Sequence, residues 1–275
     1  MDISGAELAR ALSEQSFATV KLPSDLQEML ASLDAEARTF FRTNSATAQD
    51  IERSTTVWRT LVPRDNGGTT LLGFNAPSAL KALFRYHRGC SIVMTWPSSS
   101  FQAKVEACER RLASYLTEIF DATCADLFSG REITYSRLLR SSTERQMQSF
   151  NPNPLDLFYY YNSATGNSDE CNCDPHVDRG LMHIVYSSSP GLEVFNSKTG
   201  EWQQAGGNDY DGDGDFTSTA VVFCNDALAA MTSAESGPSD QKRDNSGTNR
   251  VSACIHRVVQ GQGPRLSISL ELRLS

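Results

Sequence analysis

The chain has 275 residues, 39% hydrophobic and 21% charged, enough for one generous domain with a substantial core, which excludes a stapled mini-fold or a wholly disordered chain. Its formal net charge is −8 and no run of Lys or Arg offsets it, so its field repels polyanions and nucleic acid is not an expected partner. Seven cysteines without repeating spacing and an N-terminus, MDISGAELARAL, lacking a basic stretch and a long apolar run predict reduced thiols and a cytoplasmic location. Apolar runs such as residues 220 to 224 fall far short of the roughly 20 residues that cross a bilayer.

In chain order, the first 130 residues read as mainly helical. A short Ala/Leu-rich helix is expected over residues 5 to 13 and a strand at FATVKL, 17 to 22. Ser24 and Gln27 form a capping-box pattern ahead of Leu26, Met29, Leu30, Leu33, Ala37, Phe40 and Phe41, which recur at helical spacing. Residues 53 to 77 read as irregular or strand-like, with Asp65-Asn66-Gly67-Gly68 as a turn. Ser78 to Arg88 reads as a shorter helix with His87 at the surface. A long amphipathic helix follows through Phe101, Val105, Cys108, Leu112, Tyr115, Leu116, Ile119 and Phe120, with serines ahead of it to cap it.

After about residue 130 the period becomes alternating. Strands are expected at 155 to 161, 181 to 186, 191 to 195, 219 to 224, 253 to 259 and 264 to 273, separated by Gly- and Pro-containing turns. Many short strands without a parallel βαβ series predict an α+β protein with a jelly-roll core. Residues 1–130 would form a helical region packed on a core of residues 131–275, the two making one integrated domain. Two polar stretches, 205 to 218 and 233 to 250, read as loops.

The chemistry centres on Asp174-Pro175-His176-Val177-Asp178. In an extended strand residues i and i+2 project to one face, so His176 and Asp178 converge. An imidazole and a carboxylate supply two of the three ligands of a 2-His-1-carboxylate metal site that keeps positions open. His256, in the apolar segment ACIHRVV, is the candidate third ligand. Nine residues on, Arg265 and Ser267 share a face of the alternating strand RLSISLEL. A guanidinium fork beside a hydroxyl suits a carboxylate.

The stretches DPHVDRGLMHIVY, GLEVFNSKTGEW and IHRVVQGQGPRLSISLELR resemble the iron(II)- and 2-oxoglutarate-dependent dioxygenases, in the branch related to isopenicillin N synthase. The likeness covers roughly residues 150 to 275. SFATVKL followed by long helices and ALKALFRYHRG resembles the same family's less specific N-terminal region. The resemblance implies a double-stranded β-helix (jelly-roll) core with iron held by His176, Asp178 and His256, and the co-substrate carboxylate held by Arg265 and Ser267. A tyrosine ahead of the metal strand is matched by Tyr161, with Tyr159 second, although Asn162 stands where that family usually has proline. The implied activity couples oxidative decarboxylation of 2-oxoglutarate to hydroxylation, desaturation or cyclisation of a small organic substrate. Its requirements would be iron(II), 2-oxoglutarate and dioxygen, with ascorbate a candidate reductant. Two alternatives stay open: an iron oxidase of the same fold that uses no 2-oxoglutarate, and a binding or regulatory module without turnover.

Other patterns carry weaker readings. Cys171-x-Cys173-x-x-His176 has part of a zinc signature but no fourth ligand at sensible spacing. Asp209, Asp211, Asp213 and Gly214 imitate the start of an EF-hand loop, but Ala220 stands where its closing Glu belongs. His183 is a candidate for the pocket wall, and Trp58, Met94 and Phe195 are unranked candidates for a substrate site.

Overall fold

The computed structural model describes residues 4–63, 68–128, 131–143, 151–162, 171–206, 216–235 and 250–274. The turn expected at 65–68, apart from Gly68, and most of both polar stretches lie outside these residues, as does the acidic EF-hand-like run.

Helix α1 (Gly5–Gln15) starts at a capping box. The Glu7 N–H donates to Ser4 Oγ at 3.2 Å while the Ser4 N–H donates to Glu7 Oε2 at 2.8 Å, pairing amides that the first turn leaves open. After strand β1 (Phe17–Lys21), helix α2 (Ser24–Asn44) buries Leu26, Leu30, Leu33, Ala37, Phe40 and Phe41. The expected Ser24–Gln27 box does not form. Pro23 occupies the cap position, and the Gln27 amide donates instead to Leu22 O at 2.6 Å.

Residues 48–88 depart most from the sequence reading. Helix α3 (Ala48–Trp58) opens on a Thr47–Asp50 capping box. Ser54 is its one fully buried residue, and Ile51 and Trp58 pack against the core only partly buried, too few apolar positions to mark a helical stripe. Strands β2 (Arg59–Pro63) and β3 (Thr69–Ser78) form an antiparallel pair. Ser78 to Arg88 is not a helix but contains strand β4 (Lys81–His87). Ala82, Phe84 and Tyr86 join the core beneath the helices, while Lys81 and Arg85 line a cavity on the other face. Burial on both sides obscures the alternation, and tertiary packing overrides the helix preference of Ala, Leu, Lys and Arg. His87, expected at the surface, is 2% exposed, with its ring Nδ1 2.9 Å from Asn151 O.

Helix α4 (Ser99–Leu127) is capped as expected, Ser98 Oγ accepting from the Phe101 N–H at 3.0 Å. Helix α5 (Tyr135–Thr143) precedes the strands β5 (Pro154–Tyr160), β6 (Cys171–His176), β7 (Met182–Ser187), β8 (Leu192–Asn196), β9 (Glu201–Gln204) and β10 (Thr219–Cys224). Helix α6 (Asp226–Glu235) and strands β11 (His256–Val259) and β12 (Arg265–Leu272) complete the described elements. Helices α5 and α6 and strand β9 do not stand out in the sequence; the extended strand expected to carry both His176 and Asp178 forms as β6 but ends at His176, and β11 begins three residues later than its expected start at 253.

The architecture is α+β. One antiparallel sheet has the order β1-β10-β7-β12-β5-β4-β3-β2, and a smaller one the order β6-β11-β8-β9. Strands from both sides of residue 130 therefore share the larger sheet. Helices α2 and α4 pack on its outer face against β12, where Phe41 stacks on Tyr159 with ring centres 5.2 Å apart. Burying each such large side chain contributes about 1.5–3 kcal/mol. The inner face meets the smaller sheet through Phe17, Tyr160, Val221 and Phe223 against Leu192, Val194 and Val258. Among the described residues no helix is long and apolar enough to cross a membrane.

Candidate active site

A cavity of about 140 Å³ lies between the two sheets, lined by both. Strand β6 ends at His176, and Asp178 sits just beyond it in a segment that Asp226 anchors by donating its N–H to Asp178 O at 3.0 Å. His256 begins β11 and pairs directly with His176 across the two strands. His176, Asp178 and His256 each offer a ligand atom, all within 4.8 Å of one another. Nε2 of His176 is 3.7 Å from Asp178 Oδ1, and Nε2 of His256 is 3.6 Å from Asp178 Oδ2. Ligands sharing one ion at roughly 2.1 Å each can span such separations.

The hydrogen bonds set the imidazoles for that task. A carbonyl can only accept, so His176 Nδ1 donates to Asp174 O at 2.8 Å and His256 Nδ1 to Cys254 O at 3.2 Å. Both rings therefore turn Nε2 toward Asp178, with Nδ1 held as the donor. Burial pushes His256 down to about 4, keeping it neutral. His176, whose side chain is 39% exposed, is pushed up to about 9, first by its contact with Cys173. At Asp178 burial would raise the carboxyl, but His183 and the two other imidazoles hold it well below the usual carboxylate range. The donor set suits a divalent transition metal with open positions. No group of three or more His, Cys, Asp or Glu besides this one could hold a metal among the described residues. All seven cysteines are free thiols, and Cys171 and Cys173 take part in no metal cluster.

Arg265 lies in the same cavity wall at 2% exposure. Its Nε donates to Pro190 O at 3.0 Å and its NH1 to Ser267 Oγ. No carboxylate pairs with it among the described residues, and burial pushes it down to about 10. Gly191, at φ 118°, clears room for it: a Cβ there would meet Arg265 Cδ at 3.3 Å. A buried guanidinium without a counter-ion is costly to keep, so it fits an anion supplied from outside the chain.

The tyrosines need correction. Tyr159 and Tyr161 sit against each other, with ring centres 5.5 Å apart, in the core on the helix side of the sheet. Tyr160 instead lines the cavity, opposite Arg265 in the β5–β12 register, its ring 5.5 Å from that guanidinium. Strand alternation could have shown that 159 and 161 share a face; which face met the cavity was not local information. Trp58 and Met94 lie in the helix-side core, and Phe195 packs on Trp202; none lines the cavity. His183 does, and it donates to Asp178. The Arg85–Asp156 pair and Lys81 in the same wall were missed, because β4 was read as a helix.

No protein-family model matches the chain, and no curated protein sequence matches it. Solved structures do. A full-length Neurospora crassa protein, solved in complex with alpha-KG and thymine, is 15% identical, with a TM-score of 0.67 over 98% of this chain and 79% of that one. The dioxygenase for auxin oxidation 1 of Arabidopsis thaliana, in complex with 2-oxoglutarate, is 12% identical, with a TM-score of 0.65 over 98% and 89%. The chain has the fold of the 2-oxoglutarate- and iron(II)-dependent oxygenases. A Caulobacter crescentus protein assigned to that 2OG-Fe(II) oxygenase family agrees at 16% identity, TM-score 0.66, covering 98% of this chain and 81% of its own. Within this oxygenase fold, the His-Asp-His cluster and Arg265 occupy one cavity between the sheets.

Proposed function

We propose that the chain is an iron(II)- and 2-oxoglutarate-dependent oxygenase acting on a small organic molecule, its two sheets forming a double-stranded β-helix. The observation that carries this reading is one cavity with a three-ligand cluster and, in the same wall, a buried arginine that has no carboxylate partner of its own among the described residues. His176, Asp178 and His256 would hold iron(II), while Arg265 with Ser267 would grip the distal carboxylate of 2-oxoglutarate. When bound, iron and 2-oxoglutarate together supply the oxidising chemistry toward dioxygen and a substrate carbon.

The protein's own work is positional. Nδ1 donation to Asp174 O and Cys254 O fixes the ring that each histidine presents. Ser267 brings its hydroxyl to Arg265 from two residues along the same strand. Phe158, Val185, Leu192 and Val258 supply apolar wall, which excludes water from the reacting groups. The test is anaerobic titration of the iron(II)-loaded protein with 2-oxoglutarate. A metal-to-ligand charge-transfer band should grow with saturation, and succinate should form on admitting air. Absence of the band with iron bound sinks the reading.

A further inference from the structure

The cavity wall holds charge that iron and 2-oxoglutarate do not use up. Among the described residues four cations line it, Lys81, Arg85, Arg265 and Arg273, against three carboxylates, Asp156, Asp178 and Glu271. Counting only these Lys, Arg, Asp and Glu side chains, four against three leaves one positive charge. That is opposite in sign to the whole chain at −8. Bound iron(II) would add two positive charges and 2-oxoglutarate two negative ones, so the surplus survives loading.

The surplus can be traced to one side chain. Arg85 donates from Nε and NH2 to the two oxygens of Asp156, at 2.7 and 2.5 Å. Arg273 donates twice to Glu271 Oε2, at 2.8 and 2.5 Å. On the oxygenase reading, Arg265 is met by the co-substrate. Lys81 remains, half-buried, with no carboxylate partner among the described residues. Its Nζ donates to Cys173 Sγ at 3.2 Å and stands 5.7 Å from the centre of the Phe158 ring. Cys173 precedes His176 by three residues on β6, so the ammonium spans the gap between β4 of the larger sheet and the metal strand of the smaller one. Arg85, four residues along β4 and lining the same cavity, keeps NH1 as a further donor once Asp156 has taken its other two nitrogens.

We propose that the primary substrate is a small organic monocarboxylate, its carboxylate received by Lys81 with Arg85 beside it and its apolar remainder lying along Phe158, Leu192 and Val258. A dianionic group such as a phosphate monoester would overshoot the single surplus charge. A neutral substrate would leave Lys81 with only Cys173 Sγ and the Phe158 ring to offset its desolvation.

This assignment rests on the oxygenase reading, and its test uses binding rather than turnover. Anaerobic iron(II) protein saturated with 2-oxoglutarate is titrated by calorimetry with hexanoate, benzoate, 3-phenylpropanoate and N-acetylglycine, and with the primary amide of each. At least one acid should bind about tenfold or more tighter than its amide, with the 2-oxoglutarate band undiminished. Lys81→Met should abolish that preference and Lys81→Arg retain it, while the Kd of 2-oxoglutarate stays unchanged in both. Amides binding as tightly as acids, no acid binding at all, or a preference that survives Lys81→Met overturns the proposal. If 2-oxoglutarate binds normally and no acid preference exists, this proposal alone falls. If 2-oxoglutarate does not bind the wild-type protein, the oxygenase reading falls and takes this one with it.

Discussion

His183 Nδ1 donates to Asp178 Oδ2 at 2.6 Å, so the carboxylate facing two imidazoles is turned from behind by a third. Phe223 fixes the arrangement by packing on both His183 and His256, with ring centres 5.0 and 4.5 Å away. Groups that orient a ligand in this way typically change metal affinity 10- to 100-fold. His183→Phe keeps an aromatic ring but removes the donor. Iron(II) affinity, read by competition with a chelating dye, should drop by about that factor while thermal unfolding shifts little. Unchanged affinity would show that Asp178 needs no such support.

Arg265 is the residue whose role differs most between oxygenase and mere metal-binding protein. Removing the fork in Arg265→Met should weaken 2-oxoglutarate binding about 100-fold, in line with losing one side of a buried charge pair, and leave iron(II) binding intact. Arg265→Lys should fall between, because an ammonium cannot make two parallel bonds. Equal 2-oxoglutarate affinity in Arg265→Met and wild type would assign the buried guanidinium to something else.

Gly180 lies two residues from Asp178 beneath a tight ceiling. Its N–H donates to Glu271 Oε1 at 2.6 Å, and a Cβ there would stand 2.5 Å from Leu272 O and closer still to Glu271 Oε1. Glu271 cannot retreat, since it also accepts from Asn225 Nδ2 at 3.2 Å and from Arg273. Gly180→Ala should therefore cost about 1–3 kcal/mol in urea unfolding and displace Asp178, weakening iron(II) binding as well. A variant as stable as wild type would mean that the loop moves freely.

His87 offers a pH signature away from the metal cluster. Burial pushes the folded ring down to about 4 from its ordinary 6.5, so between these values the unfolded chain takes up a proton that the folded one refuses. Stability is then complete above pH 6.5 and is lost as the pH falls toward 4. At pH 5 the loss from this ring is about 2 kcal/mol. Urea midpoints measured at pH 7 and pH 5 should converge in His87→Phe relative to wild type; an unaltered gap would refute the assignment.

Much of the second half of the chain could be read directly. Strand alternation and helix caps are local properties, so β5, β7, β8, β10 and β12 fell within one or two residues of their expected spans, and α2 and α4 announced themselves by apolar spacing. The residue types at His176, Asp178, His256 and Arg265 were likewise visible, because a few polar groups in apolar strands stand out.

What the linear chain could not decide was which elements meet. Lys81 to His87 carries helix-favouring residues, and only the helices on one side and a cavity on the other made it a central strand. Tyr160 rather than Tyr159 or Tyr161 faces that cavity because β5 lies between β4 and β12 in a register that sets it against Arg265. By itself the sequence determined the local elements and the chemical groups on offer, since these follow from spacing and side-chain type. The tertiary structure decided convergence, facing and charge balance, because those depend on pairings between residues far apart in the chain, and a shift of one residue would turn every side chain of a strand to its opposite face.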